Sequence, residues 1–431
     1  MARLGAFCFP GTGHINPMTA LARRLQQRGH TVVIFGIADV ESRVRAAGVE
    51  FSLIGQSDYP PGTLQKLDQR LSELKGLATF KFTVDRVKNT ANMILRDGPD
   101  AVRRANVDAI LVDEADMGGT VAEHLGLPVV SIAFFPPLIK NNRIPAFCFG
   151  WPAGQDWFSR LRNELGFRLL SRLAAPIYAD VNRQRKAWGL KHIKSTTDAL
   201  SKLAQIAQLP AALEFDVDAS LPILHYTGPF VGAQQRPKIE FDWNRLDGRP
   251  LIYASLGTLQ NGSNEVFHII AEACADLHAQ LVISLGGGLD PQRLGALPAD
   301  PIVVKYAPQL ELVKRAAAVI THAGLNTVLE SLAEGVPLVC LPLGNDQPGV
   351  AARVAARGAG LVLSRHRLNA NRLRSAVRAV LEDDSYRTAA RKLQAAMQQV
   401  DGLEQAVDII ENVLELNPDD CLVPGRRMAH R

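Results

Sequence analysis

Two histidines stand in settings that suit chemistry. His14 lies in GTGHINP (11–17) and His322 in THAGLNTVLE (321–330). Each follows a short apolar run and precedes a helical pattern, so each belongs where a strand turns into a helix. An imidazole there can act as a base near pH 7, because the roughly half positive charge of a helix N-terminus disfavours imidazolium. As a dinucleotide loop, G-x-G-x-x-G, the first segment fails: Gly11 and Gly13 fit, but Asn16 occupies the third glycine position. Taken alone, His14 is better explained as a turn residue with a local hydrogen bond. Asp113 reverses that balance. It directly follows AILV, so it belongs at a strand's carboxyl end on the same rim, where a carboxylate can fix the imidazole tautomer and stabilise its cation. Glu114 and Asp116 share the run DEAD, and spacing leaves the choice open; Asp113 is nearest the strand end.

The segment around His322 suits an anion. A small-residue turn opening a helix aims main-chain N–H groups at phosphate oxygens, and His322 could donate to the same oxygens. Asn326 and Glu330 are four apart on one helical face, which puts Glu330 one turn behind the anion, within reach of ribose hydroxyls. NDQ (345–347) returns hydrogen-bonding side chains to the rim after the strand PLVCLPL. The Walker pattern G-x-x-x-x-G-K-[ST] is missing, which excludes an ATP-type loop.

Positioning these groups falls to alternating strands and helices. LGAFCFP, TVVIFGI, VEFSLI, DAILVD and PVVSIAFF read as strands separated by helices, the first being NPMTALARRLQQRG with Asn16 as N-cap and Pro17 in the first turn. The rhythm lapses over 140–215, which reads as mainly helical. It restarts with PLIYASLGT, AQLVISLG, PIVVKYAP, AVITHAG and PLVCLPL. The expected fold is therefore α/β, with two tandem doubly wound parallel-sheet domains facing a central cleft where ligands bind.

Composition bounds the rest. Of the 431 residues, 47% are hydrophobic and 21% charged, as in a soluble globular protein. No basic leader with a long apolar run opens the chain, and no segment reaches the ~18 apolar residues of a membrane span. The five cysteines are scattered without a C-x-x-C pair, so a cytoplasmic location and no metal site are expected. Residues 1–215 carry 27 basic against 19 acidic residues, and 12 against 4 of these fall within 140–205 among large aromatics. A solvated helical face with core aromatics is the first explanation. Peripheral contact with the inner face of a membrane through 140–205 is a candidate, and nucleic acid ranks last for want of a motif.

Taken together, GTGHINP, VDAILVD, TGPF, IYASLGT, YAPQ, THAGLNTVLE and DQPG closely resemble the UDP-glycosyltransferase superfamily of inverting enzymes with the GT-B fold. IYASLGTLQ, NTVL and DQPGVAARV look most like the bacterial carotenoid (zeaxanthin) glucosyltransferases. The resemblance implies that His14 is the catalytic base and Asp113 its partner. It implies that Thr258, His322, Gly324, Asn326 and Thr327 surround the donor diphosphate, that Gly13 lets the sugar and the acceptor approach the backbone, and that Glu330 holds the ribose with Gln309 nearby. Tyr306 stands where plant members carry a tryptophan stacking on uracil, and Leu325 replaces another tryptophan. Asp346 and Gln347 match the pair that holds sugar hydroxyls, the glutamine going with glucose. UDP-glucose is then the donor substrate, with no permanently bound cofactor, and the acceptor is a hydrophobic hydroxyl compound: a carotenoid, or a flavonoid, phenol or other aglycone. The apolar segments at 55–95, FFPPL (134–138) and 140–200 should bind it. A nucleotide-sugar isomerase or hydrolase and a noncatalytic nucleotide-sugar sensor remain as alternatives. The expected boundaries are an acceptor domain over 1–223, a linker over 224–248 and a donor domain over 249–400. A helix over 401–417 should pack back on the first domain, and 418–431 should form a disordered tail.

Overall fold

The computed structural model describes residues 1–74, 77–216, 221–230, 239–257, 264–287 and 291–416. Thr258, Cys421, the 418–431 tail and part of the 224–248 linker lie outside them. In the first half the elements run β1 (Arg3–Phe7), α1 (Thr12–Gln27), β2 (Thr31–Gly36), α2 (Ala38–Ala46), β3 (Glu50–Leu53), α3 (Thr63–Glu73), α4 (Leu77–Ala105), β4 (Ala109–Asp113), α5 (Gly118–Leu125), β5 (Val129–Ala133), α6 (Trp157–Ala187), β6 (Gln205–Ala207) and β7 (Leu224–Tyr226). In the second half they run β8 (Leu251–Ser255), α7 (Asn264–Cys274), β9 (Gln280–Ser284), β10 (Ile302–Val304), α8 (Gln309–Arg315), β11 (Ala316–Thr321), α9 (Leu325–Ala333), β12 (Leu338–Cys340), α10 (Gln347–Ala356) and β13 (Gly360–Val362). Three helices follow: α11 (Ala370–Glu382), α12 (Asp384–Gln398) and α13 (Gly402–Val413).

The architecture is two Rossmann-like sheets, ordered β3-β2-β1-β4-β5-β6-β7 and β10-β9-β8-β11-β12-β13. Every pairing in both is parallel. Parallel strands are covered by helices on both faces, which is why they read as near-continuous apolar runs. In each sheet the strand order reverses once, between β1 and β4 and between β8 and β11, and ligand crevices open at such reversals. Phe7 is level with Val112, and Ser255 with Thr321. The first reversal therefore presents the residues after Phe7 beside Asp113. The second presents Gly257 beside His322.

Three local details depart from expectation. Helix α1 begins at Thr12, with Gly11 as its N-cap, instead of after Asn16. The main-chain N–H groups of His14 and Ile15 both reach the Gly11 carbonyl, at 3.0 and 2.9 Å, so the first turn closes five residues early. His14 is thus inside the first helical turn, and Pro17 lies in the second. The stretch 140–215 is not only helical, because Gln205–Ala207 is a strand paired with β5. Residues 224–226, whose surroundings read as linker, form β7 on the edge of the first sheet.

The last helix belongs with the first sheet. Leu403, Ala406, Val407 and Ile410 of α13 are buried in the same core as β1, β2 and α1. Its polar side pairs with α1: Arg24 meets Asp401 and Glu404, and Arg28 meets Glu404 and Asp408. His30 and Glu411 form a buried pair at 3.0 Å beneath them. Since Ile410 has no exposed surface, Ile410→Ala should destabilise the fold by about 2–5 kcal/mol in urea titration.

Candidate active site

His14 and Asp113 meet. His14 Nδ1 lies 2.7 Å from Asp113 Oδ2. Asp113 is fully buried at the end of β4. The Phe9 main-chain N–H donates to the same oxygen at 3.2 Å, and Ala115 N–H donates to Oδ1 at 3.0 Å. These bonds compensate the carboxylate for lost water and fix its plane. The structure thereby separates the three acids. Glu114 turns away to accept from Leu138 N–H at 2.7 Å, and Asp116 accepts from Gly118 N–H at 2.9 Å. Burial drives both of these carboxyls up to about 7, helped in each case by the charge on Asp113.

Burial works against a cation at His14, but Asp113 opposes it through its charge and its hydrogen bond, and Asp346 adds to this; the net is a raised pKa, despite Arg86. The helix-dipole expectation of a depressed imidazole is corrected accordingly: one hydrogen-bonded carboxylate outweighs a partial charge. The ring sits among aromatics, with centroids 5.3 Å from Phe9 and 6.0 Å from both Phe134 and Phe135. Arg86 lies over Phe9 at 5.1 Å and pairs with Asp68, while its Nη2 has no hydrogen-bond partner. Beyond Arg86, α3 and α4 enclose a cavity of about 430 Å³ lined in part by Tyr59, Leu67, Phe82 and Met93.

Across the cleft, α9 starts at Leu325 with Gly324 as its N-cap, so Leu325, Asn326 and Thr327 form its first turn. Main-chain N–H groups of a first turn have no partner within the helix. His322 is held between two glycines: a Cβ on Gly257 or Gly324 would lie 2.6 or 2.5 Å from its ring. Burial lowers His322 to about 4, against a hydrogen bond to the Ser255 main chain. It is therefore neutral at neutral pH and carries a single N–H. Behind the first turn, Gln309 Nε2 donates to Glu330 Oε2 at 2.6 Å, and Tyr253 Oη–H donates to Gln309 Oε1 at 3.1 Å. Thr327 Oγ1 is 3.4 Å from the same Gln309 nitrogen. Tyr306 is half exposed, its phenol resting on Gly287, where a Cβ would come within 1.9 Å of the hydroxyl.

One side chain ties the two halves together. Asn326 Nδ2 donates to the Gly13 carbonyl at 2.9 Å, and its Oδ1 accepts from Gln208 Nε2 at 2.9 Å. The Gly13 carbonyl is available because Pro17, four residues on, has no N–H to close the helical bond. Asp346 lies near enough for its charge to act on His14. Gln347 is turned back on its own loop, its Oε1 accepting from Leu343 and Gly344 N–H at 2.7 and 3.1 Å. A buried ion pair, Arg353 to Glu214 at 2.8 Å, adds a second bridge. Gly349 allows α10 to approach the Phe147 carbonyl, which a Cβ would meet at 1.9 Å. The motif residues thus converge from both sheets, except Thr258, which lies outside the described residues. Gln208, Tyr253 and Arg86 escaped the sequence reading; their only signal was a polar residue amid apolar runs.

Residues 100–417 match the family model described as UDP-glucoronosyl and UDP-glucosyl transferase, and residues 9–141 match the glycosyltransferase family 28 N-terminal domain. The chain belongs to the UDP-glucoronosyl and UDP-glucosyl transferase family. Zeaxanthin glucosyltransferase from Pseudescherichia vulneris is 31% identical over 412 residues, covering 94% of this chain and 96% of the relative. Its counterpart from Pantoea ananas is 29% identical, covering 96% of each. Among solved structures, the calicheamicin glycosyltransferase CalG4 superposes with a TM-score of 0.71 at 23% identity, over 96% of this chain and 99% of that one. The glycosyltransferase of kitacinnamycin gives 0.75 at 22%, over 96% and 98%. These establish GT-B as the fold of this UDP-glycosyltransferase. In it, His14 should titrate in NMR above the ordinary 6.5. In Asp113→Asn the midpoint should fall, because the charge that favours imidazolium is gone.

Proposed function

We propose that the enzyme transfers glucose from UDP-glucose to a hydroxyl of a hydrophobic small molecule, inverting the anomeric centre to give a β-glucoside. The observation that carries this is the 2.7 Å pair of His14 Nδ1 and Asp113 Oδ2. With Nδ1 engaged, Nε2 is the nitrogen to take the acceptor proton. The acceptor oxygen then attacks the anomeric carbon, the bond to the UDP oxygen breaks, and Asp113 stabilises the imidazolium that forms.

The diphosphate leaving group is assigned to the α9 N-terminus. Since His322 is neutral, main-chain N–H groups and the helix dipole carry most of the charge stabilisation, with Gly324 and Thr327 in that turn. Glu330 and Gln309 suit the ribose, and Tyr306 a uracil face. Asp346 suits the sugar hydroxyls, and Gln347, whose carbonyl oxygen is engaged, suits them as a donor. Phe9, Phe134 and Phe135 favour an apolar acceptor, and the zeaxanthin glucosyltransferase relatives support a carotenoid among the candidates. The described cysteines are all free thiols, in keeping with a cytoplasmic enzyme that meets its acceptor at the inner membrane face through 140–205.

His14→Ala should lower kcat by about 10²–10⁴-fold while calorimetry finds UDP binding nearly intact; lost UDP binding would contradict the assignment of base and anion site to different walls. The acid limb of the pH–rate profile should lie above the ordinary histidine value, because turnover needs the unprotonated ring and Asp113 favours the protonated one. An acceptor panel with UDP-glucose, read by mass spectrometry and including carotenoids, flavonoids and simple phenols, tests the acceptor class. Nucleotide-sugar consumption without any acceptor would point to hydrolysis instead.

A further inference from the structure

Helix α6 is apolar on two opposite faces. One face, with Gly166, Leu170, Ala174, Ile177 and Val181, is buried against α4. On the other side, Trp157 is 75% exposed, Phe158 61%, and Leu161, Leu165 and Leu169 about half. Four of these five recur every fourth residue, so they form one stripe along more than three turns. Singly exposed apolar residues need no explanation, but a contiguous stripe marks a contact surface.

Charge says what the surface fits. Residues 157–187 contain seven basic and two acidic side chains. Arg160, Arg168, Arg172, Arg183 and Lys186 are exposed. Both acids are already paired, Glu164 with Arg168 at 3.0 Å and Asp180 with Lys88 and Arg183. An apolar stripe flanked by an excess of cations is the pattern of a helix lying in the headgroup region of an anionic bilayer. A second copy of the chain is a poorer match, because a two-fold contact would bring the same arginines together without acids to meet them.

The inner face of the same helix is joined to the cleft. From Phe135, 6.0 Å from His14, contacts run to Phe147 at 5.3 Å. Two residues on, Phe149 stacks on Trp151 at 4.1 Å, and the pair rests on Gly166 of α6.

We propose that the exposed face of α6 docks the enzyme on an anionic lipid bilayer, with the Trp157–Leu169 stripe inserted and the arginines on the headgroups. That docking shortens an apolar acceptor's path from the membrane to His14 is a further step, and it rests on the transferase reading given above.

The test is cosedimentation of the full chain with phosphatidylcholine vesicles, with and without phosphatidylglycerol. Wild type should bind the mixed vesicles at least about tenfold more than the neutral ones, and added salt should weaken binding. Leu161→Glu/Leu165→Glu and Arg168→Glu/Arg172→Glu should each cut binding about tenfold or more. Both should keep the wild-type melting curve. Absence of wild-type binding, or binding untouched by both double variants, overturns the proposal. So does a sedimentation-velocity dimer that Leu161→Glu/Leu165→Glu dissociates without effect on vesicles. Failure to glucosylate any acceptor while vesicle binding persists defeats the transferase reading alone.

Discussion

The working geometry hangs on a carbonyl that a proline leaves unused. Pro17 cannot close the helical bond to Gly13, and Asn326 fills the place from the other sheet at 2.9 Å. Gly13 precedes His14 in the first turn of α1, and Asn326 is in the first turn of α9. One hydrogen bond therefore sets the His14 ring against the N-terminus of α9. Gln208 holds the other end of the same amide, so Asn326 has one orientation, and the Glu214–Arg353 pair braces the gap at a second point.

Electrostatics divide the labour between the walls. The first wall concentrates carboxyls, and its hydrogen bonds decide which one acts: Asp113 receives N–H groups and faces His14, while its buried neighbours are pushed toward neutrality. The second wall holds a histidine that burial keeps neutral, and it meets negative charge with oriented peptide dipoles. His14 and the start of α9 thus sit one hydrogen bond apart, and Asp346 brings the charge of the second wall to bear on the first.

Much of this was legible because parallel strands bury both faces and so read as apolar runs, with chemistry-bearing residues at their ends. His14, Asp113 and His322 were singled out that way, and Glu330 by its four-residue spacing from Asn326 on one helical face. The start of α1 was misplaced because GTG looks like a loop, while the Gly11 carbonyl in fact closes the first turn. Helices α3 and α4 did not emerge over 55–105, where no strand alternates with them. Gln208 and Tyr253 act through partners 118 and 56 residues away, and local spacing carries no trace of that. Composition marked 140–205 as basic and aromatic, but only the fold shows that α6 spends one apolar face on α4 and leaves the other outside.

The position of α13 has a consequence for the order in which the molecule is made. Leu403, Ala406, Val407 and Ile410 complete the core around β1 and α1, yet they leave the ribosome some 390 residues after that core begins. Throughout most of synthesis the face of α1 that α13 covers stays bare, with Arg24, Arg28 and His30 lacking their acidic partners. The second sheet can close locally; the first cannot finish until α13 has been made. The half that holds His14 is thus assembled last, by a helix encoded after everything else in the catalytic cleft.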